Sequence, residues 1–381
     1  MKHDSEYTLL DWLGFSRVPK YWNAPTLGPI IAVVMSIILL VTLLAGFTIL
    51  IQLWFFVFNT SANGSFEPAR NLSLTLAGLF GAPFVVWQVW LAQRRADNAD
   101  EGLITDRINA AAASLGADKT VKAIEDGKEY TRPNIEVRVG AILALERIAK
   151  RSPDVHCQIM EILCSYIREN TKEDREKPRE DIQLALTVIG RRSDRQRAME
   201  RDGLIDLGHT KLSGADLRKA QLSNAWLNDT KLQGAYLSGA ELQGAYLSGA
   251  ELQGAYLMRA KLQGAHLSGA KLDWADLWRA ELQGANLVNA DLQNVRCLGD
   301  AFLHGALVQA LDFNTIPIAA EQVQGVFGDA STIPPDGMER PAFWPEVMLD
   351  PVNCVKEWKK WKADPDRYAF DPTKYGDKYR D

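Results

Sequence analysis

The chain has 381 residues, with 43 Lys and Arg against 48 Asp and Glu and a formal net charge of -5. That length allows two or three folded units, and the acidic balance argues against a general nucleic-acid binder, which would carry a basic excess. Cys157, Cys164, Cys297 and Cys354 form no CxxC pair and no metal-ligand spacing, so they read as reduced thiols, with Cys157 and Cys164 packed in a helical core.

Composition divides the chain into five segments. Residues 1–26 form a cytoplasmic or interfacial N-terminal segment, with Leu9, Leu10, Trp12, Leu13 and Phe15 as its apolar side chains. No charged residue occurs in the 32 positions from Leu27 to Phe58, where roughly 20 suffice to cross a hydrocarbon core. A second uncharged run, Leu72–Ala92, ends in Trp87 and Trp90, and aromatic ends suit the bilayer interface. Residues 27–93 are therefore predicted to be two transmembrane helices joined by a short external loop, Asn59–Asn71. The first run is too long, starts too late and lacks a small-residue cleavage site, so a cleavable signal peptide is not expected. Lys2, Arg17, Lys20, Arg94 and Arg95 flank the spans and only Arg70 lies in the loop, which places both termini in the cytoplasm of a bacterial inner membrane. Neither span holds an ionisable residue, so anchoring is expected rather than an ion path. Gly46, Gly78 and Gly81 allow close helix packing, which leaves a homo-oligomer open.

Residues 94–203 are predicted to be an α-helical module. Apolar side chains recur at spacings of three and four over 103–118, 134–151, 153–170 and 179–190. Asn134 is expected to cap a helix whose Val137, Ile142, Leu145 and Ile148 share a face, and Ser152-Pro153 to open the next. Lys128–Pro133 and Thr171–Pro178 are the connections. The stretches PNIEVRVGAILALERIAKRSPD and DIQLALTVIGRR resemble a helical module that often precedes pentapeptide repeats in membrane-anchored bacterial proteins. That module brings no catalytic residues. His156 and Glu161 suggest a metal or acid–base pair, but no second His stands four residues away, so a packed His is expected. The arginine-rich run Arg191–Arg201 reads as a solvated linker helix capping the next domain, with anionic lipid or an acidic partner as the alternative.

In residues 204–313 Leu occupies every fifth position from Leu207 to Leu292, 18 times in a row, and Ala stands two residues earlier at 15 of 16 steps from Ala215 to Ala290, Thr230 being the exception. The text KLQGAYLSGAELQGAYLSGAELQGAYL is similar to the A-(D/N/x)-L-x-x pattern of the pentapeptide-repeat family, and the resemblance implies a right-handed quadrilateral β-helix. The period has a physical reading. A helix would scatter leucines five apart around its surface, and a flat strand needs a period of two. Period five closes a square coil, one five-residue side per face, so residues 20 apart stack about 4.8 Å apart. Leu217, Leu237, Leu257, Leu277, Ala235 and Ala255 then point inward. Outward ladders mostly alternate in sign: Gln221, Glu241, Lys261, Glu281 on one face and Lys231, Glu251, Lys271, Asp291 on the opposite one. Trp226, Tyr246, His266 and Asn286 line a third face, and Asp216, Tyr236, Tyr256 and Asp276 the fourth. The frame slips by one after Asp291, and the pattern ends at Leu311–Phe313.

Residues 314–381 are a C-terminal cap and tail. EQVQGVFGDASTIPPDGMERPAFWP resembles an extension often found after such repeats, and Glu321–Phe327 is expected to form a short helix over the coil end. The tail with Trp358, Lys359, Lys360 and Trp361 either folds back on the body or touches lipid headgroups.

The chain holds no GxSxG, no phosphate-binding glycine loop, no paired-carboxylate pattern and no Cys/His arrangement, so it is not expected to be an enzyme or to carry a cofactor or metal. The leading expectation is a membrane-anchored protein-interaction scaffold, whose partners are membrane lipid and a protein but no nucleic acid. The alternative is a membrane effector, as in bacterial defence, whose spans act when the cytoplasmic part is triggered. A third reading comes from the resemblance, because some pentapeptide-repeat proteins mimic DNA and bind topoisomerases. Such mimicry needs an acidic surface, and residues 204–313 carry 11 Asp and Glu against 9 Lys and Arg. The candidate partner surface is Tyr236, Tyr256, Met258, Arg259, Trp274, Trp278 and Arg279, residue types typical of interface anchors. The competing expectation is that the C-terminal tail covers this face.

Overall fold

The computed structural model describes residues 44, 46–52, 54–56, 67–122, 129–316, 318–371 and 374. The chain divides into two units, Met1–Leu103 and Ile104–Asp381. In the first unit, the predicted N-terminal segment, most of the first predicted span and Asn59–Phe66 of the loop lie outside the described residues. The described residues between 44 and 56 are helical, and Phe47, Leu50, Trp54 and Phe55 among them are exposed. Helix α1, Glu67–Leu115, begins inside the segment predicted as a turn and continues past Arg94 and Arg95. Pro68 stands in its first turn, where a missing N–H costs no hydrogen bond. Residues 93–102 contain no proline to end it. Among the described residues no helix is long and apolar enough to cross a membrane.

The second unit opens with a correction to the sequence reading. After α1 the chain forms an antiparallel hairpin, β1 Asp118–Lys122 with β2 Glu129–Pro133. The predicted connection Lys128–Pro133 is thus mostly a strand, in keeping with its β-prone Tyr130 and Thr131. Helices α2, Ile135–Arg151, α3, His156–Asn170, and α4, Glu180–Gly190, follow, with a single 3-10 turn at Pro153–Val155. Their apolar faces meet in one core: Ile142 and Leu145 of α2, Ile159, Leu163 and Ile167 of α3, and Ile182, Leu186 and Ile189 of α4, with Ile108 and Leu115 of α1. Val137 is exposed rather than on the buried face, and Asn134 stands at the N-cap without a side-chain cap hydrogen bond.

A polar cluster pins this module together. The buried Arg138 donates to the Ala117 carbonyl at 2.9 Å, to Asn170 at 2.8 Å and to Asp118 at 2.8 Å. Asp181, fully buried, accepts from the Tyr166 hydroxyl and from Arg179. Burial alone would raise the Asp181 carboxyl, but the Arg179 and Tyr166 hydrogen bonds outweigh it and hold it below the ordinary value. Burial and the same carboxylate push the Tyr166 hydroxyl up to about 12.

From Asp206 onward the chain is a coil. Parallel bridges join residues 20 apart from Asp206–Trp226 to Asp276–Arg296. Each coil receives backbone bonds from its neighbours, as in Tyr236 N to Ala215 O at 2.9 Å and Leu237 N to Tyr256 O at 2.9 Å. Leu217, Leu237, Leu257, Leu277, Ala235 and Ala255 are all buried. Thr230 fits the narrow Ala position because its hydroxyl donates to the Leu207 carbonyl at 2.9 Å. Each Leu–Ala segment closes a tight corner, as in Ala235 N to Leu232 O at 3.0 Å. Of the 18 left-handed corners from His209 to Asn294, nine take glycine. At Gly244, φ +64°, an added Cβ would collide with Asn224 Oδ1. The charge ladders form at Glu241–Lys261 and Glu251–Lys271, both 3.0 Å. Lys231 pairs instead with Asp174, which also takes Lys211.

The frame slip lies after Arg296. The 3-10 turn Leu298–Asp300 absorbs one extra residue, so Glu281 faces Phe302. The strands β3, Asn286–Leu287, and β4, Leu307–Val308, keep the shifted spacing. Bridges Leu307–Phe327 and Asp312–Ile333 carry the coil past Phe313, with Val323 and Val326 replacing Leu and Ala inside.

Both open ends are closed by side chains. At the first coil the Gln183 amide of α4 donates to Asp216 O at 2.8 Å and accepts from Asp216 N at 2.9 Å, in place of a neighbouring strand. Gly190 O accepts from Gln221 N, and Arg192 donates to Gln221 O, just before the one-turn helix α5, Asp194–Arg197. At the last coil the buried Trp344 donates to Val326 O at 2.7 Å. The expected helix over this end is only one turn, α6 at Ala320–Val323, since the following residues join the coil.

Two outcomes test this account. Leu252→Lys should collapse the coil by burying an unpaired charge, at a cost of several kcal/mol, whereas Gln253→Lys should shift the circular-dichroism melt little. The Gln253 side-chain oxygen has no hydrogen-bond partner to lose among the described residues. Asp181→Asn should cost about 3 kcal/mol at neutral pH, because Arg138 and Arg179 lose a carboxylate. A carboxyl with a depressed folded pKa stabilises above its unfolded value, about 3.9, and loses that contribution as the pH falls through the folded value. Urea titrations should therefore show the wild-type advantage at neutral pH and its disappearance in acid.

Candidate partner-binding surface

The helical module holds no catalytic arrangement at the positions singled out from sequence. His156 Nε2 lies 2.7 Å from Glu200, while Glu161 pairs with Arg201 at 3.1 Å, so the two are not one site. Arg192 is buried against the same Glu200 at 2.7 Å. The arginine run is therefore not simply solvated. Arg191 holds Glu146, Arg197 holds Asp194, and Arg192 caps the coil. Sequence reading missed the His156–Glu200–Arg192 cluster because its members stand far apart along the chain. Cys164 is buried, but Cys157 is only partly so. Burial pushes the Cys164 thiol up to about 12 and the Cys354 thiol higher still, so neither is a thiolate nucleophile.

The four faces of the coil differ in what covers them. The C-terminal helix α7, Pro351–Ala363, is started by Asp350, whose carboxylate accepts from Val352 N and Asn353 N. Trp358 and Trp361 of α7 pack on Val288, Leu307 and Phe327. Trp358 Nε1 donates to Gly305 O at 2.9 Å, and Lys362 reaches Gly284 O at 3.3 Å. This is the face of Trp226, Tyr246, His266 and Asn286. Burial, then the cations Lys359 and Lys362, lower the His266 pKa below its ordinary value. The tail thus folds back, but on the face opposite the one considered in the sequence reading. Leu307 and Phe327 sit at outward positions and are fully buried. The frame slip hid Leu307, which stands 21 residues after Asn286 rather than 20.

On the opposite face the candidate residues come together. The Tyr236 and Tyr256 rings stack at 5.1 Å, 3° from parallel, and each is 39% exposed. Arg259 and Arg279 both lie over the Trp278 ring, each 4.9 Å from its centroid. Trp274, 53% exposed, carries Arg296 at 6.0 Å, an addition that the sequence reading did not include. Met258 and Trp278 are half-buried. Asp276 turns one oxygen to Trp278 N at 3.0 Å, which fixes the local turn. Arg259, Trp274 and Arg279 occupy left-handed corners at φ 56°, 62° and 53°, among corners that use glycine at Gly254, Gly264, Gly269 and Gly284. For L-residues that conformation costs roughly 1–2 kcal/mol each. Tyr236 also lines an open groove with Gln183, Lys177 and Arg218, beside α4.

A family model described as pentapeptide repeats matches eight copies over residues 205–234, 227–264, 235–272 and 270–306. Residues 205–306 are pentapeptide repeats. Solved structures of pentapeptide-repeat proteins are similar to this part of the chain. Rfr23 from the cyanobacterium Cyanothece 51142 is 30% identical over 31% of this chain, with a TM-score of 0.22. The match spans 63% of Rfr23, less than two thirds of its length. HetL, involved in heterocyst differentiation regulation in Nostoc sp. strain PCC 7120, is 27% identical over 38% of this chain and 74% of its own, with a TM-score of 0.19. QnrB1, a plasmid-mediated fluoroquinolone resistance protein, is 17% identical over 39% of this chain and 81% of its own, with a TM-score of 0.23. The search of curated proteins finds no match.

The two faces of the pentapeptide rod should respond differently to mutation. Trp358→Ala should destabilise the second unit by about 3–5 kcal/mol, as expected for a buried Trp. Tyr256→Ala, Arg259→Ala and Trp278→Ala combined should cost less than about 2 kcal/mol, because the side chains are wholly or partly exposed. Chemical denaturation of both variants checks this.

Proposed function

We propose that the chain is a non-catalytic interaction scaffold, tethered to a bacterial inner membrane, whose pentapeptide rod presents one open face to a protein partner. The observation that carries this reading is the contrast between faces. Helix α4 and Arg192 close one end, Trp344 closes the other, and α7 covers the Val288, Leu307 and Phe327 part of one side, leaving Trp226 and Tyr246 at its near end exposed. On the face with Tyr236, Tyr256, Trp274 and Trp278, the two tyrosines and Trp274 are exposed and Trp278 is half-buried under Arg259 and Arg279. Such side chains are the usual anchors of an interface. The rod's alternating charges, paired at Glu241–Lys261 and Glu251–Lys271, disfavour imitation of a polyanion.

The membrane tether in this proposal rests on the two uncharged runs, Leu27–Phe58 and Leu72–Ala92, with the positive flanks placing both termini in the cytoplasm. It is supported by the exposure of Phe47, Leu50, Ile51, Trp54, Phe55, Val85 and Val89, an apolar set that water disfavours. Arg94, 5.1 Å over the Trp90 ring, suits the cytoplasmic interface.

Membrane-impermeant thiol labelling of intact cells tests the tether. A Gly64→Cys chain should be labelled from outside. Native Cys297, which is exposed, should react only after permeabilisation. Cys354 is buried and makes a poor reporter. Reversed labelling would overturn the orientation. Affinity purification should then recover a protein partner with the wild-type chain and lose it with the Tyr256→Ala, Arg259→Ala, Trp278→Ala variant.

A further inference from the structure

Resting on the scaffold reading, we propose that the open face binds an extended acidic segment of the partner, with Arg259, Arg279 and Arg296 receiving its carboxylates. Both Arg259 and Arg279 stand 4.9 Å from the Trp278 centroid. At most twice that distance separates the two cations, comparable to the Debye length of about 8 Å at physiological salt. Among the described residues, none of the three guanidiniums makes an ion pair or a side-chain hydrogen bond. Two acids lie on this face: Asp216 holds Arg218, and Asp276, which gives one oxygen to Trp278 N, sets a single negative charge against the three cations. On the flanking faces the cations are treated differently. Lys261 is matched with Glu241, Lys271 with Glu251, and Lys231 with Asp174. The open face therefore gathers unmatched positive charge where the rest of the rod neutralises it.

The geometry also selects the form of the anion. A guanidinium lying over an indole has one face covered, and its in-plane fork of N–H donors remains open to a bidentate carboxylate. Asp216, Tyr236, Tyr256, Asp276 and Arg296 are successive bridge partners along the rod. Four steps of about 4.8 Å give a strip of roughly 19 Å, the reach of about six extended residues. The stacked tyrosines in the middle of the strip offer apolar contact between acidic side chains. A peptide lying along the rod axis fits this strip.

Fluorescence anisotropy with labelled hexaglutamate, using the full chain in detergent, tests the assignment. Hexaglutamate should bind at least about tenfold more tightly than hexaglutamine and weaken as salt is raised. R259N/R279N should lose at least about tenfold, and its melting temperature should hold or rise, since Asn tolerates the left-handed corners and the mutual repulsion is gone. Equal binding of the two peptides would overturn the proposal, as would undiminished hexaglutamate binding by a folded R259N/R279N chain. So would cosedimentation with phosphatidylserine vesicles, abolished in R259N/R279N, that hexaglutamate does not compete. If hexaglutamate fails but the Tyr256→Ala, Arg259→Ala, Trp278→Ala variant still loses its co-purifying partner, the acidic assignment falls and the scaffold reading stands. If that variant loses no partner either, the scaffold reading falls with it.

Discussion

The interior of the coil is only wide enough for a leucine and an alanine per side, and nearly every other property of the rod derives from that width. A narrow, dry interior admits no polar group without its own partner. Thr230 is tolerated because its hydroxyl reaches a main-chain carbonyl. The same confinement forces a corner every five residues, hence the run of left-handed positions. It also leaves every larger side chain outside. The outer surface is thus free to vary, and chemical identity resides there, in ladders of charge on two faces and aromatic rings on the others.

A coil also has two ends with unpaired main-chain groups, and those ends fit the rod to the rest of its unit. Gln183 presents one amide to both polar groups of Asp216, so a single side chain stands in for a strand. Gly190 serves by proximity. A Cβ there would come within 2.9 Å of the Ala220 methyl, so the close approach of α4 to the first coil depends on glycine. At the other end, the buried indole of Trp344 satisfies the Val326 carbonyl. The helical module is positioned by the same contacts that close the rod.

Much of this was readable in advance where one residue type answers one local constraint. The Leu and Ala register, the corner positions and two of the charge pairs follow from period five alone. The reading failed where distant segments decide. The buried outward positions at Leu307 and Phe327 make sense only once α7 lies over them. Lys231 meets Asp174 of the helical module rather than its ladder neighbour Glu251. Glu200 and His156 find each other across a turn of the whole module. On the open face, composition singled out Trp278 and both neighbouring arginines. Arg296 escaped notice because the frame slip was expected after Asp291, whereas the coil keeps its step of 20 from Asp276 to Arg296.

The slip at Leu298–Asp300 shows how such a rod tolerates change in length. One extra residue is looped into a single 3-10 turn, and pairing resumes in the next coil. An insertion of five residues has no such refuge. It adds a whole side, so everything downstream is carried a quarter turn around the axis. The patch beneath α7 would then move to an adjacent face and leave the open face in a different quadrant. An insertion of 20 residues only lengthens the rod. For a molecule of this kind, duplication in whole coils preserves the compass bearing of every surface, and duplication in single pentapeptides resets it.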